Sequence, residues 1–378
     1  MQTKATPPKV VLLDLRKRQA KETNYETGKV LCSMCTKPHI VAKKAHELFF
    51  ESNLGDPRLF QETAQLEREV IAQLGNLLHQ KSATGFIVSG GTEANMLALL
   101  TARNASNISS PEVVLPDSAH FSLQKACNLL NLKPVIASLD ESYIVKPLEV
   151  EKLVNKNTIA IVGTAGTSEL GTIDPIHKLS EIAVQHKVHL HVDAAFGGLI
   201  IPFLKTTYPF DFQLQGVSSM TVDPHKMGMS VIPGGGILFR NSEMLQYIKT
   251  ETPYISAKSQ YTFVGTRSGA SIASVWAVFK TLGKAGFTEI VEQCVKNTSL
   301  LVKELKKYSL SLLCQPTLNI VSFRSNKNTN RLSETLWRKG WFVSYIPRYD
   351  CIRIIIMPHV KKKHVLKFIE VVKEIEML

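Results

Sequence analysis

Between residues 84 and 239 the chain repeats one pattern, a short apolar run, a polar break and then a stretch of helical periodicity. Phe86-Ile87-Val88 precedes an expected helix from Thr92 to Arg103, and Val113-Val114-Leu115 precedes one from Ala119 to Leu130. Ile159-Ala160-Ile161-Val162 leads through a loop to a helix from Ile176 to His186. His189–Val192 then ends at Asp193, Ser219–Val222 ends at Asp223, and Gly236–Phe239 closes the series. Runs this short and this apolar suit strands buried on both faces, and their alternation with helices predicts an α/β fold around a mostly parallel sheet. In such sheets ligands bind beyond the carboxyl ends of the strands. The polar residues just past each apolar run are therefore the ones to read for chemistry.

The flanks are different. Pro7-Pro8 opens a Lys- and Arg-rich helix expected over 8–24. Residues 25–57 are less periodic and contain the turn signal Asn53-Leu54-Gly55-Asp56-Pro57. A helix follows from Gln61 to Leu78, with Leu66, Val70, Leu74 and Leu77 on one face. Past residue 270, helices over Ser271–Lys280 and Glu289–Tyr308 precede strands at Leu318–Phe323, Trp341–Tyr345 and Cys351–Met357, then a terminal helix. These divide the chain into an N-terminal helix and extended segment (1–55), a large ligand-binding domain (56–280) and a small C-terminal α/β domain (281–378).

At 378 residues the chain can build a core in each of two domains. No stretch approaches the roughly 18 apolar residues that a membrane span needs, and the N-terminus lacks the apolar core of a secretory signal. We expect a cytoplasmic protein without a membrane partner. Cys32 and Cys35 form a C-x-x-C pair with no second pair or histidine partner at zinc spacing, and a loop rather than a strand precedes them. They read as structural or pocket residues, not as a metal or redox site. The formal net charge is +13, and residues 301–378 hold 15 Lys/Arg against 6 Asp/Glu. There the charges interleave with apolar residues, as in Lys361–Ile369, which is the pattern of a helix with a solvated basic face and not of a nucleic-acid-binding motif.

Three motifs carry the chemistry. Ser89-Gly90-Gly91-Thr92-Glu93-Ala94-Asn95 sits between a strand and a helix, where glycines admit a ligand closely and the helix N-terminus offers unpaired N–H groups. It is neither a Walker loop nor a dinucleotide fingerprint. Asp193, ending a buried strand, needs a partner. Lys226, in Asp223-Pro224-His225-Lys226-Met227-Gly228, leaves a strand end among apolar neighbours, where an amine can become nucleophilic. An anion cradle, a buried carboxylate and a reactive lysine on one rim match the needs of pyridoxal 5'-phosphate (PLP). An ion pair at ~4 Å in an effective dielectric near 20 contributes about 4 kcal/mol, roughly three pKa units, enough to keep the cofactor's ring nitrogen protonated.

The run Ser89–Asn95, with Ala119-His120-Phe121, Thr164–Thr167, Asp193-Ala194-Ala195 and Asp223–Lys226 in that order, resembles the group II PLP-dependent amino-acid decarboxylases of fold type I. Ser33–His39 and Asn53–Pro57 resemble the archaeal tyrosine/aspartate decarboxylase branch, and the likeness covers nearly the whole chain. It implies α-decarboxylation of L-tyrosine to tyramine or of L-aspartate to β-alanine, serving methanofuran or coenzyme A biosynthesis. It also implies that Lys226 forms the Schiff base, Asp193 pairs with the ring nitrogen, and His120 and Ala195 cover the two ring faces. Gly91, Thr92 and His225 would contact the phosphate, and Thr167 would lie near the phenolate side. A homodimer with shared sites is implied, with Gly265 and Thr266 reaching the partner's phosphate.

Several assignments stay open on the sequence alone. Arg353 either holds the substrate α-carboxylate or is a structural ion-pair residue. Arg58 either reads a side-chain carboxylate or lies on the surface. Tyr254, Tyr261 and His120 are alternative donors of the proton to Cα, and the small-molecule substrate is tyrosine, aspartate or glutamate. The rival readings are a carbon–carbon lyase of the sphingosine-phosphate-lyase type and a catalytically silent PLP-fold binding protein.

Overall fold

The computed structural model describes residues 3–308 and 310–377. Its centre is a seven-stranded sheet of β1 (Thr84–Val88), β2 (Glu112–Pro116), β3 (Lys133–Ala137), β4 (Thr158–Thr164), β5 (His189–Asp193), β6 (Val217–Val222) and β7 (Gly235–Phe239), in the order β1-β7-β6-β5-β4-β2-β3. β2 to β6 run parallel to one another, and β7 is antiparallel to both neighbours, β6 and β1. Parallel neighbours need a crossover, usually a helix. Residues 223–234 form none and turn back instead, which reverses β7 and leaves the Lys226 loop at the carboxyl end of β6. Every residue of β2, β4 and β7 is buried, consistent with their unbroken apolar runs.

Ten α-helices occur among the described residues: α1 (Pro8–Gln19), α2 (Ile40–Leu48), α3 (Gln61–Leu77), α4 (Gly91–Asn104), α5 (Phe121–Leu129), α6 (Pro147–Leu153), α7 (Ile176–His186), α8 (Gly269–Leu305), α9 (Thr329–Arg338) and α10 (Lys362–Met377). α1 stops at Gln19, short of the expected 24, and none of its residues is buried. α2 falls in the segment read as aperiodic. Only Ala42 of it is fully buried, so its apolar stripe is faint, although the His39 ring caps it by accepting from the Val41 N–H at 3.2 Å. The two helices expected after residue 270 are one element, broken where Gly283 takes φ 53° and ψ −169°, a conformation that glycine alone adopts readily.

A second, antiparallel sheet joins β10 (Leu310–Leu312), β11 (Ile320–Ser325), β12 (Ser344–Ile346) and β13 (Cys351–Ile355) in the order β10-β11-β13-β12. Phe323, Leu336, Ile352, Ile354 and Phe368 form its core, which Leu31 joins from the N-terminal segment. A two-stranded hairpin, β8 (Thr250–Glu251) with β9 (Ser259–Gln260), stands apart from both sheets. No helix among the described residues is long and apolar enough to cross a membrane.

One ion pair ties the layers together. Arg267, just before α8, pairs through both terminal nitrogens with Glu67 of α3 and donates to the Ile87 carbonyl at 2.8 Å. Glu67 in turn accepts the Ile87 N–H at 2.8 Å, so α3, β1 and α8 meet at one buried junction. Removing one partner of such a pair strands the other in a low-dielectric site, at a cost of about 3–5 kcal/mol. Arg267→Ala is therefore expected to lower unfolding stability by that amount in urea titrations. A loss under about 1 kcal/mol would show that the junction is dispensable.

Candidate active site

The carboxyl ends of β1, β4, β5 and β6 and the first turns of α4 and α5 surround a cavity of about 340 Å³. Gly91, Thr92, His120, Asp193, Ala195, His225 and Lys226 all line it. Residues from four separate stretches of sequence thus converge because each lies just past a strand or at the start of a helix.

Lys226 Nζ lies 3.1 Å from Asp223 Oδ2, an ion pair in which the carboxylate is almost wholly buried. The other oxygen, Asp223 Oδ1, is buried with no hydrogen-bond partner. Close by, a Cβ added to Gly91 would fall 2.9 Å from Asp223 Oδ2 and 3.2 Å from the Ala195 Cβ, so only glycine leaves the wall open there. His225 faces the same carboxylate, with Nε2 3.7 Å from Asp223 Oδ2. The Gly234 N–H donates to its Nδ1 at 3.3 Å, which leaves the ring proton on Nε2. Burial lowers the pKa of His225, with Asp223 opposing.

Across the cavity Asp193 is fixed by two donors. Its Oδ1 accepts the Ala195 N–H at 3.1 Å and its Oδ2 accepts Asn95 Nδ2 at 2.9 Å. Each oxygen keeps a lone pair for a ligand. His120 caps α5, its Nδ1 accepting from Ser122, and burial lowers its pKa while the Asp193 charge raises it. At the start of α4 the Gly91 and Thr92 N–H groups have no intrahelical acceptor, and Glu93 reaches back to the Ser89 N–H at 2.8 Å to fix the turn. These groups fit PLP: backbone donors and the His225 Nε2–H for phosphate, a held carboxylate for the ring nitrogen, and an amine beside them.

Other expected residues lie outside this cavity. Thr167 is buried in a turn, its hydroxyl 2.8 Å from that of Thr172, while Thr164, Gly166 and Ser168 line the wall in its place. Arg353 is occupied by the carbonyls of Ser168 and Cys32 and, at 2.9 Å, by the Ser344 hydroxyl, so it braces the wall from behind. Tyr254 is 86% exposed near the hairpin tip, and Tyr261 stacks on Phe86 at 5.5 Å beside a different cavity. Arg58, Gly265 and Thr266 are exposed and away from the cavity, whereas Arg267 between them and α8 turns inward to Glu67. Asn95, Thr164, Ser168, Asp223, Phe196 and Ile232 also line the cavity, although sequence reading gave them no role. Asp223 alone carried a usable signal, a second strand-ending aspartate matching Asp193. Cys32 and Cys35 are free thiols, and Cys35 lies close enough to Lys226 to feel its charge. No cluster suited to a metal ion occurs among the described residues.

A large mostly parallel sheet with a reversed β7, a small C-terminal sheet and this residue set define a PLP-dependent enzyme of fold type I. The chain belongs to the pyridoxal-dependent decarboxylase family, whose conserved domain matches residues 61–326. It is 47% identical to a probable L-aspartate decarboxylase of Archaeoglobus fulgidus over 359 residues, 95% of this chain and 97% of the relative. It is 46% identical to a probable L-tyrosine/L-aspartate decarboxylase of Methanothermobacter thermautotrophicus over 346 residues, 90% and 95% of the two chains. Among solved structures, a sphingosine-1-phosphate lyase of Burkholderia pseudomallei superposes with a TM-score of 0.92 at 25% identity, covering 99% of this chain and 91% of that one. A Lactobacillus brevis glutamate decarboxylase gives 0.90 at 23% identity, covering 99% and 93%, a likeness of fold.

Burial makes stability depend on pH. It pushes His191 down to about 4, His189 to about 3 and His359 to about 4. Between pH 6.5 and 4 the unfolded chain takes protons there that the folded chain refuses, so stability falls as pH falls. Asp174, pushed up to about 6 by burial, acts in the opposite sense but is a single group. The urea midpoint of the cofactor-free protein is expected to be lower at pH 5 than at pH 7, and an equal or higher midpoint at pH 5 would contradict this.

Proposed function

We propose that this PLP-dependent decarboxylase acts on L-aspartate or L-tyrosine, the substrates named for its relatives, in a homodimer whose sites are completed across the interface. The observation that carries the reading is the facing pair of a held Asp193 carboxylate and the Lys226 amine in one cavity. Bound PLP supplies a protonated ring able to accept the electron pair that a departing carboxylate leaves behind.

The chain's own residues do the rest. Lys226 Nζ is the amine that would hold the cofactor's aldehyde carbon, and Asp223 holds that nitrogen in place at 3.1 Å. Asp193 would keep the ring nitrogen protonated, and Ala195 and His120 lie where they would cover the ring's faces. The Gly91 and Thr92 N–H groups with His225 Nε2–H would hold the phosphate. Arg353 braces the Ser168 wall and ties it to Cys32 of the N-terminal segment, so its contribution is to pocket shape. The dimer is supported by Leu48, Phe50 and Leu59, which are 81%, 75% and 73% exposed. That apolar surface adjoins the 53–58 turn, and Asp56 of the turn accepts from Ser256 of the hairpin that carries Tyr254. Tyr254 and the loop holding Gly265 and Thr266 would then serve a second copy's site, with Arg58 on the same surface.

Carbon dioxide release from L-aspartate and L-tyrosine, assayed separately, is expected from one or both. Lys226→Ala should abolish it, and Asp193→Ala should lower kcat by about a thousandfold, the equivalent of roughly three pKa units on the ring nitrogen. Aldehyde release from a phosphorylated 2-amino-3-hydroxy substrate, with no carbon dioxide from L-aspartate or L-tyrosine, would instead favour carbon–carbon cleavage of the kind expected of a lyase such as the Burkholderia neighbour. In light scattering the protein should have twice the chain mass, and Leu48→Asp with Phe50→Asp should give monomers with little activity. A fully active monomer would sink the shared-site reading.

A further inference from the structure

Beneath the cavity lies a polar network that the roles above leave unused. Asp193 is an acceptor only, so the Asn95 group 2.9 Å from its Oδ2 must be the Nδ2 amide. Asn95 Oδ1 then needs donors, which are the Thr221 hydroxyl at 2.7 Å and His191 Nε2 at 3.0 Å. With its proton on Nε2, neutral His191 has a bare Nδ1 that accepts from the Ser219 hydroxyl at 2.9 Å. Ser219 Oγ, having donated, accepts from His189 Nε2 at 2.7 Å. The second Asn95 amide hydrogen points the other way, to Ser122 Oγ at 2.9 Å. Ser122 Oγ is fully buried and has one other neighbour within hydrogen-bond distance, His120 Nδ1 at 2.8 Å. The hydroxyl, occupied as an acceptor by Asn95, donates there, and the Ser122 backbone N–H donates to the same nitrogen at 3.3 Å. Donors aim at Nδ1 from both, so the His120 proton sits on Nε2, which has no protein partner among the described residues.

We infer that Asn95 and Ser122 are positioning residues: one carboxamide orients the Asp193 carboxylate and, through the Ser122 hydroxyl, fixes His120 as the tautomer with its proton on Nε2. The inference rests on the reading of Asp193 and His120 as the groups that meet the cofactor. It makes His120 a hydrogen-bond donor toward cofactor or substrate, with no acceptor nitrogen offered to the cavity. It also couples the two groups, because a change at Asn95 disturbs both.

The direct test is histidine nitrogen NMR on ¹⁵N-histidine-labelled, cofactor-free protein, with the His120 signals assigned by their loss in His120→Gln. Wild type should show the Nε2–H pattern. Ser122→Ala leaves only the long backbone N–H contact at Nδ1, 3.3 Å against 2.8 Å for the hydroxyl, and should give a mixture with Nδ1–H. Ser122→Thr, which restores the hydroxyl, should return the wild-type pattern. Asn95→Ala should also give the mixture, since Ser122 is then free to accept from Nδ1–H. The same variant should weaken PLP binding by about tenfold to a hundredfold, as expected when a hydrogen bond to a charged group is lost. An unchanged His120 tautomer in both alanine variants, or PLP affinity within about twofold of wild type in Asn95→Ala, would overturn the inference. If Asn95→Ala fails to fold, the Ser122 pair decides the tautomer claim by itself. A wild-type protein with no PLP affinity would defeat the functional reading, whereas the tautomer is read without cofactor.

Discussion

A carboxylate at the end of a buried strand is a charge removed from water, and it persists there only with donors around it. Asp193 meets that condition through the Ala195 N–H and the Asn95 amide, and much of the surrounding structure exists to hold those two donors still. Asn95 is buried on α4, and its remaining hydrogen-bonding capacity is spent on Thr221, His191 and Ser122 from β6, β5 and α5. The carboxamide that holds the carboxylate is thus itself held by two strands and a helix at once. Rigidity of this kind is what a site needs in order to hold a cofactor in one orientation.

The second constraint is the reversal at β7. Because residues 223–234 turn back instead of forming a crossover helix, the loop after β6 stays at the strand's carboxyl end and folds over the cavity. Asp223 and Lys226 therefore face Asp193 at the same rim. The lysine is held by a buried carboxylate that is itself unsatisfied at Oδ1, which leaves a polar atom at the site for a ligand. Fold and chemistry meet here, since the topology puts the amine where its partner can reach it.

Much of this was legible in the sequence, and the reasons are physical. Strands buried on both faces are written as short, mostly apolar runs, so β2 and β4 were read to within a residue or two, as were β5 and β6 despite their buried His191, Ser219 and Thr221, and α7 to the residue. Residues adjoining those runs, Gly91, Asp193, His225 and Lys226 among them, converge on the cavity for the same reason. α2 was missed because it buries a single residue completely, and β3 because it too buries only one residue, Ala137, and includes a proline. The position of Thr167 was not readable, because a tight turn with Thr172 decides which of four neighbouring residues faces inward. Arg353 left two readings open, and only the three-dimensional arrangement shows its guanidinium occupied by backbone carbonyls. The Asn95 network was invisible for a similar cause, since its members lie far apart in sequence and each looks like an ordinary polar residue in a strand or helix.

The central claim is that Lys226, and no other lysine, takes the cofactor. The measurement that addresses it most directly is borohydride reduction of the PLP-loaded protein, followed by a peptide mass map. The account predicts a pyridoxyl adduct on the peptide containing Lys226, near one equivalent per chain, and none in protein carrying Lys226→Ala. An adduct spread over surface lysines, or a single adduct elsewhere that survives Lys226→Ala, would contradict it.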